Sequence, residues 1–460
     1  MDLKKLKFGE RIEISNEMSK KDYMYSVSLV SIGKHFLEYF FGSEVYQMSF
    51  QEIREKFISS SNNKDVPKDE LSFFKFICKR YLDLKDRPSI NMLKYYNQAS
   101  SDLKDINNRI KDYEKDIKEL NKINNRKLTN EEGYEKLLLE YYIDLNKKAR
   151  EEIINFLTHD IRYYALKDSK EVPNYFSTFS CSYDYRFDPF RYKKENITDL
   201  HNKFQDLSVP VYKEILKKYE EDKEEFYNLM EEYIWEYKII DKIYDFIYSH
   251  HRLNKREEIL KQALIAYEEG QTLLFCNVIP LQIEGVFHDY CIELEIPETD
   301  LLASPLHDKL TKISNEDKNF RDYEYFNFKF PIIRNKVAHG NLFKESNKKL
   351  SRFLLLDLFS ACKLLATSDS LEINKAVSIL QEYEKDCSFK NSLKSIIFLQ
   401  NITIPNFYDL DSIIDEIKSR FIKDDVWNYI EGIIEEDNNL LNRGIRSIAI
   451  YLKEQGIKKR

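Results

Sequence analysis

The sequence predicts an all-α protein, and three observations carry that prediction. Breakers are scarce, with 10 glycines and 10 prolines in 460 residues, too few to punctuate a many-stranded sheet. The composition is 42% hydrophobic and 33% charged, and it is rich in Leu, Ile, Lys and Glu, which sit well in helices. Apolar residues also recur at spacings of three and four over long stretches. The 32 tyrosines and 30 phenylalanines are helix-packing material before they are anything functional.

Taken in order, residues 1–200 form a helical N-terminal region, a candidate sensor or regulatory part. Tyr23 to Phe41 and Glu70 to Tyr81 are its first expected helices, with Ser59 to Asn63 as a loop. A coiled-coil-like antiparallel hairpin is expected at about 97–160. Leu103, Ile106, Ile110, Tyr113, Ile117 and Leu120 make a heptad seam. After an Asn-rich interruption, Thr129 and Glu132 offer a capping box for a second helix with Leu137, Leu138, Tyr141, Tyr142 and Leu145. Residues 166–197 change character: Tyr183, Tyr185, Phe187, Phe190 and Tyr192 lie among Arg186, Arg191, Lys193 and Lys194. Rings interleaved with cations can stack on single-stranded RNA, although an aromatic-rich connection packed on the helices is the favoured reading.

Residues 201–255 read as connecting helices. Residues 256–370 form a helical bundle: a long helix from Glu257 through Leu274, an apolar stretch from Phe275 to Leu294, a loop carrying Pro297, Pro305 and Asn315, then Phe326 to His339 and an apolar helix from Leu350 to Ala366. Residues 371–460 add a C-terminal helical extension around Ile373 to Tyr383, Leu410 to Phe421 and Trp427 to Tyr451. No internal repeat recurs at a fixed period.

The net charge of −7 excludes a basic nucleic-acid coat, so any RNA contact needs a local basic patch. The six cysteines, Cys78, Cys181, Cys276, Cys291, Cys362 and Cys387, contain no C-x-x-C pair and read as free thiols of a reducing compartment. Met1 to Lys7 has no apolar h-region, so a secretory leader is not expected. The run from Phe353 to Ala366, interrupted by Asp357 and Lys363, is too short and polar to span a bilayer. A cytoplasmic protein without membrane partners is the expectation. There is no P-loop, G-x-G-x-x-G or H-E-x-x-H, which argues against a triphosphatase, a dinucleotide enzyme or a zincin.

The stretch Pro331 to Gly340, PIIRNKVAHG, holds the sharpest chemistry. Arg334 presents a permanently charged fork of donors suited to phosphate oxygens. His339 can give or take a proton near neutral pH. Together they suit RNA cleavage by attack of its own 2′-hydroxyl, with a base for that hydroxyl, a charge for the transition state and an acid for the leaving 5′-oxygen. Residues five apart on a helix are turned by about 140°, so Arg334 and His339 cannot share one face of an ideal helix. Asn335 and His339, four apart, can, and Asn335 can hydrogen-bond the imidazole or the substrate. Convergence of Arg334 and His339 needs either a break near Gly340 or a second copy in a symmetric dimer.

This stretch resembles the R-x4-6-H signature of the HEPN superfamily, matching at Arg334, Asn335 and His339. The resemblance covers about 110 residues. It implies a helical-bundle endoribonuclease that needs no metal or other cofactor, a homodimer whose two motifs form one composite site on the RNA substrate, and a role as a bacterial anti-phage, abortive-infection or toxin effector. A regulatory protein or phage-derived trigger is an implied partner. The resemblance also implies a supporting acidic residue on an earlier helix. Glu284 and Asp289 are the candidates, with Glu284 in the more apolar setting, and His288 is a further supporting candidate. Some members are non-catalytic dimerisation or RNA-binding modules, which is the alternative.

His159-Asp160 lacks the further ligands that a metal-dependent phosphohydrolase needs and reads as a surface or capping pair. His250-His251-Arg252 would suit a helix C-terminus as cations.

Overall fold

The computed structural model describes residues 3–61, 63, 65–122, 128–170, 193–301, 304–339, 346–387, 389–400 and 402–420. Among these residues the chain is helical with no strand, only an isolated bridge between Leu84 and Lys170, so the all-α class holds. It falls into two compact units, Met1–Asn196 and Ile197–Arg460.

In the first unit, helices α1 (Phe8–Lys20), α2 (Leu29–Phe41), α3 (Phe50–Ser60) and α4 (Glu70–Leu82) enclose a core that includes Met18, Ile32, Phe36, Phe57, Phe73 and Phe74. The expected Tyr23 to Phe41 helix is instead a short 3-10 turn, Tyr23–Tyr25, followed by α2 with Ser28 as its N-cap, accepting from the Ser31 N–H at 3.0 Å. The hairpin follows as α5 (Pro88–Lys122) packed along α6 (Asn130–Asn155). Thr129 and Glu132 form the expected capping box, at 2.8 and 3.2 Å. In α5 the buried seam includes Ile106, Ile110 and Tyr113. In α6 it runs through Leu138, Leu139, Tyr142 and Ile143, while Leu137 is exposed. The buried stripe therefore lies one residue beyond the position that placed Leu137 inward. A turn of π-helix, Phe156–Asp160, leads into α7 (Ile161–Ser169). The aromatic segment 171–192 lies outside the described residues. Lys194, just after it, is held by Glu135 at 3.0 Å and Asp116 at 3.4 Å.

The second unit contains α8 (Val209–Glu221), α9 (Lys223–Glu236), α10 (Ile239–Ser249), α11 (His251–Asn254), α12 (Glu257–Glu268), α13 (Thr272–Glu293), α14 (Glu298–Leu301), α15 (Leu306–Glu316), α16 (Phe330–Ala338), α17 (Asn347–Thr367), α18 (Glu372–Lys385), α19 (Phe389–Leu399) and α20 (Asp411–Arg420). Helix α17 is the axis. Every residue from Leu350 to Cys362 is buried, and α10 and α13 pack on it. Its apolar run is that of a core helix surrounded on all sides. No helix among the described residues is long and apolar enough to cross a membrane.

Two expectations fail here. The helix expected from Glu257 through Leu274 stops at Glu268, because Gly270 takes φ +76°. The Gly270 N–H donates to the Tyr267 carbonyl at 3.1 Å and the Gln271 N–H to that of Ala266 at 2.7 Å, the pattern of a Schellman stop. Asn315 is not in a loop but in α15, which starts after Pro305 and buries Leu306, Leu310 and Ile313 at helical spacing. The expected helix from Trp427 to Tyr451 lies outside the described residues.

Cys78, Cys276, Cys291 and Cys362 are buried, and burial pushes each thiol up to about 12. Cys387 is exposed, and Cys181 lies outside the described residues.

Candidate functional site around Arg334

The motif occupies a short helix with an unusual entry. Tyr325–Lys329 is one turn of π-helix, and α16 follows directly. Pro331, in the first turn of α16, has no N–H to return to the preceding carbonyls, so the chain can widen there without losing a donor. Helix α16 ends at Ala338. His339 is its C-cap, with its N–H donating to the Asn335 carbonyl at 3.0 Å. Gly340, the break anticipated from the sequence, lies outside the described residues, and the helix has already stopped two residues before it.

Arg334 points at α13. Its Nε donates to Glu284 Oε2 at 2.5 Å, a charge-assisted contact. The other Glu284 oxygen accepts from Lys309 Nζ of α15 at 3.3 Å. The Glu284 side chain is 14% exposed and that of Arg334 29%, so the carboxylate lies under the guanidinium while Arg334 keeps solvent access. Arg334, Lys309 and Glu284 together carry one net positive charge, a local basic point in an acidic chain. Arg334 Nη1 also donates to Asn335 Oδ1 at 3.1 Å. The Asn335 carboxamide oxygen is thus engaged by the arginine, where the sequence allowed it to meet the imidazole. His339 is exposed, and its ring has no hydrogen bond among the described residues.

Asp289 takes a different partner. Arg256 Nε donates to its Oδ2 at 2.6 Å, and Arg256 Nη2 donates to the Gly285 carbonyl at 3.0 Å. A Cβ at position 285 would stand 2.7 Å from the guanidinium carbon, so Gly285 makes room for that arginine. Asp289 is turned about 140° from Glu284 around α13, and so the two acids serve opposite sides. His288, four residues from Glu284, shares its side of the helix and is half-buried. Sequence reading missed Lys309, because it placed a loop where α15 runs.

The face of α16 away from Arg334 borders a cavity of about 360 Å³. Lys329, Ile332, Ile333 and Lys336 line it at helical spacing. Tyr325 forms part of its wall, with its hydroxyl donating to Asp357 Oδ2 at 3.0 Å. Asp357 is fully buried with Lys203, whose ammonium donates to it and lies 4.1 Å from the Tyr325 ring centre.

The remaining histidine candidates are structural. His159 is exposed in its π-turn, its Nδ1 2.8 Å from Thr158 Oγ1. His251 Nε2 lies 3.1 Å from Glu293, which also accepts from Arg252 at 2.5 Å. Burial works against the charge of Glu293, but those two partners hold its pKa below the ordinary value. His250 is not the cation expected from the sequence. It is 1% exposed, and burial, helped by the neighbouring His251 and Arg252 and opposed by Glu293, pushes its pKa from 6.5 down to about 4. Its Nδ1 accepts from the Arg252 N–H at 3.3 Å, and its Nε2 has no partner among the described residues. A depressed histidine pKa means the unfolded chain binds the extra proton first. Stability from this site is therefore full above about pH 6.5 and falls as the pH drops towards 4, by up to roughly 3 kcal/mol. Urea midpoints measured from pH 7 to 4 are expected to decline over that window, and His250→Gln is expected to flatten the decline. An equal decline in the variant would place the effect elsewhere.

No protein family, curated protein or solved structure matches this chain.

Proposed function

We propose that the protein is a metal-independent endoribonuclease of HEPN type, and that its two motifs meet in a homodimer. The observation that carries the reading is the Arg334–Glu284–Lys309 cluster together with an exposed His339 at the end of the same short helix. A half-buried carboxylate holds the arginine at its Nε, leaving Nη2 of the fork for a phosphate oxygen. The histidine stands at the helix C-terminus with access to a scissile bond. The turn of the helix separates the two groups within one chain, so pairing with a second copy supplies the missing acid or base. Arg334 would hold the scissile phosphate, His339 would act as base or acid, and Glu284 would be a positioning residue acting through Arg334. In a cell, such an activity fits an anti-phage, abortive-infection or toxin effector, released by a regulatory protein or a phage-derived trigger.

A second reading rests on the same contact. A 2.5 Å tie to Glu284 is also what a structural ion pair looks like, and the bundle would then serve dimerisation or RNA binding without cleavage. The ends of the products separate the two. Purified protein in EDTA is expected to cut single-stranded RNA and leave 2′,3′-cyclic phosphate and 5′-hydroxyl ends. Fragments with 3′-hydroxyl and 5′-phosphate ends would sink the proposed chemistry. RNA bound but intact, with protein co-expressed alongside its trigger, would favour the second reading.

A further inference from the structure

We propose that a cavity in the first unit, lined by α1, α4 and the N-terminal turn, is a binding site for a small molecule carrying two or more anionic groups. The cavity holds about 660 Å³, within the roughly 300–1,000 Å³ usual for small-molecule sites. Its cations come from three elements: Lys4 from the 3-10 turn Leu3–Lys5, Arg11 from α1, and Lys79 and Arg80 from α4. Asp83 is the acid beside them, so four positive charges face one negative charge in a chain of net charge −7. A ligand with a single anionic group would leave most of that charge unmatched, which is why the site calls for more than one.

Ordinary helix building explains only part of this. Phe76, Lys79, Arg80 and Asp83 are spaced as one stripe along the end of α4 and its C-cap, and cations in a last turn favour the helix dipole. That accounts for Lys79 and Arg80, but not for Lys4 and Arg11, which reach the same cavity from other elements. Arg11 is held in a fixed orientation. Its Nε donates to the Tyr81 carbonyl at 3.2 Å and its Nη2 to Asp83 Oδ1 at 3.1 Å, so Nη1 keeps its protons for a ligand. Arg80 is exposed and makes no hydrogen bond or ion pair among the described residues. Tyr81 is the buried polar member of the lining, 9% exposed. Its hydroxyl oxygen accepts from Asn63 Nδ2 at 2.8 Å, which leaves the O–H to donate into the cavity. Burial raises the pKa of that hydroxyl, while Arg80, the Asn63 bond and Arg11 pull it down, so both guanidiniums lie near it. Two arginine forks and a phenol donor suit paired phosphate or carboxylate oxygens. The first unit holds this site by itself, independently of the RNA chemistry proposed for the second.

Isothermal titration of the full chain at about 0.15 M salt, with inorganic pyrophosphate and with citrate, is expected to show saturable binding of at least one of them, tighter than about 1 mM. Orthophosphate and acetate, each with a single anionic group, are expected to bind at least about tenfold more weakly. The tighter of the two polyanions assigns the ligand to the phosphates or to the carboxylates. Lys79→Gln/Arg80→Gln is expected to lose at least about tenfold in affinity, and Tyr81→Phe, which removes only the hydroxyl, about three- to tenfold. Lys20→Gln/Lys118→Gln removes the same charge at exposed positions outside the lining, and is expected to change affinity by less than about twofold. Lys79 and Arg80 are exposed, so that pair decides even where Tyr81→Phe fails to fold. No saturable binding of either polyanion, equal losses in the two double variants, or a single-group anion binding as tightly as the polyanions would overturn the proposal. Binding that Arg334→Ala abolishes would place the anion in the second unit and overturn it as well. So would single-stranded RNA that displaces the polyanion and binds at least about tenfold more tightly, which would make this face a track for RNA backbone.

Discussion

Alanine at Arg334 or at His339 is expected to lower the rate of RNA cleavage by about 10²- to 10⁴-fold while leaving the thermal midpoint near that of the wild type. The range follows from the jobs assigned to them. A positioned acid or base contributes about 10²–10⁴-fold, and a fixed donor aimed at developing charge contributes about 10²–10³-fold. On the proposed chemistry both residues act on one transition state, so the double variant is expected to be little worse than either single one. Lysine at 334 is not a conservative rescue, because it lacks the Nε–H that Glu284 engages at 2.5 Å together with the rest of the planar fork. Glu284→Gln keeps the shape and removes the charge, and it is expected to act through the placement of Arg334. A KM that rises with kcat little changed would mark loss of phosphate binding, and a fall in kcat alone would mark misplacement in the transition state. Single-turnover assays on a labelled single-stranded RNA measure all of these. Equal rates for the wild type and both alanine variants would end the catalytic reading, and the Arg334–Glu284 contact would then be a tie between α16 and α13.

How much of this geometry was legible depended on how local its causes were. The all-α class, the hairpin with its Thr129–Glu132 box and the limits of α4 were legible, because spacing and capping are properties of neighbouring residues. The Glu284–Arg334 contact was half legible. An acid in an apolar stretch needs a partner, but Asp289 offered the same argument until Arg256 was seen to occupy it. The stop at Gly270 was hidden because the apolar pattern resumes within a few residues, and only the positive φ marks the break. Lys309 was lost with α15, because Pro305 and Asn315 read as loop punctuation while the buried Leu306, Leu310 and Ile313 read as nothing. The π-turn before the motif has no signature of its own beyond Pro331. The partners of Asp357 were out of reach altogether, since Lys203 stands 154 residues away in sequence.

That distant pair yields the second large effect. Asp357 and Lys203 are both fully buried, with Asn202 donating to Asp357 at 2.7 Å and accepting from Lys203 at 2.6 Å. Burial pulls the Lys203 ammonium below the ordinary lysine range, and Asp357 pulls it back. Removing one partner leaves the other buried and uncompensated, at a cost of about 3–5 kcal/mol. Asp357→Ala and Lys203→Met are each expected to show that loss in urea unfolding. Lys203→Met/Asp357→Leu, with both charges gone and the volume kept, is expected to recover most of it. A single-variant cost under about 1 kcal/mol would mean that the pair is not the buried tie described here. The pair also reaches the proposed function, because Asp357 accepts from Tyr325, which opens the π-turn that leads into α16. Asp357→Ala frees that hydroxyl and is expected to loosen the entry to the motif helix, so it should slow RNA cleavage as well as lower stability. The double variant also lacks the acceptor for Tyr325. It is expected to regain stability without regaining the cleavage rate, which separates the anchoring of Tyr325 from the stability of the surrounding core.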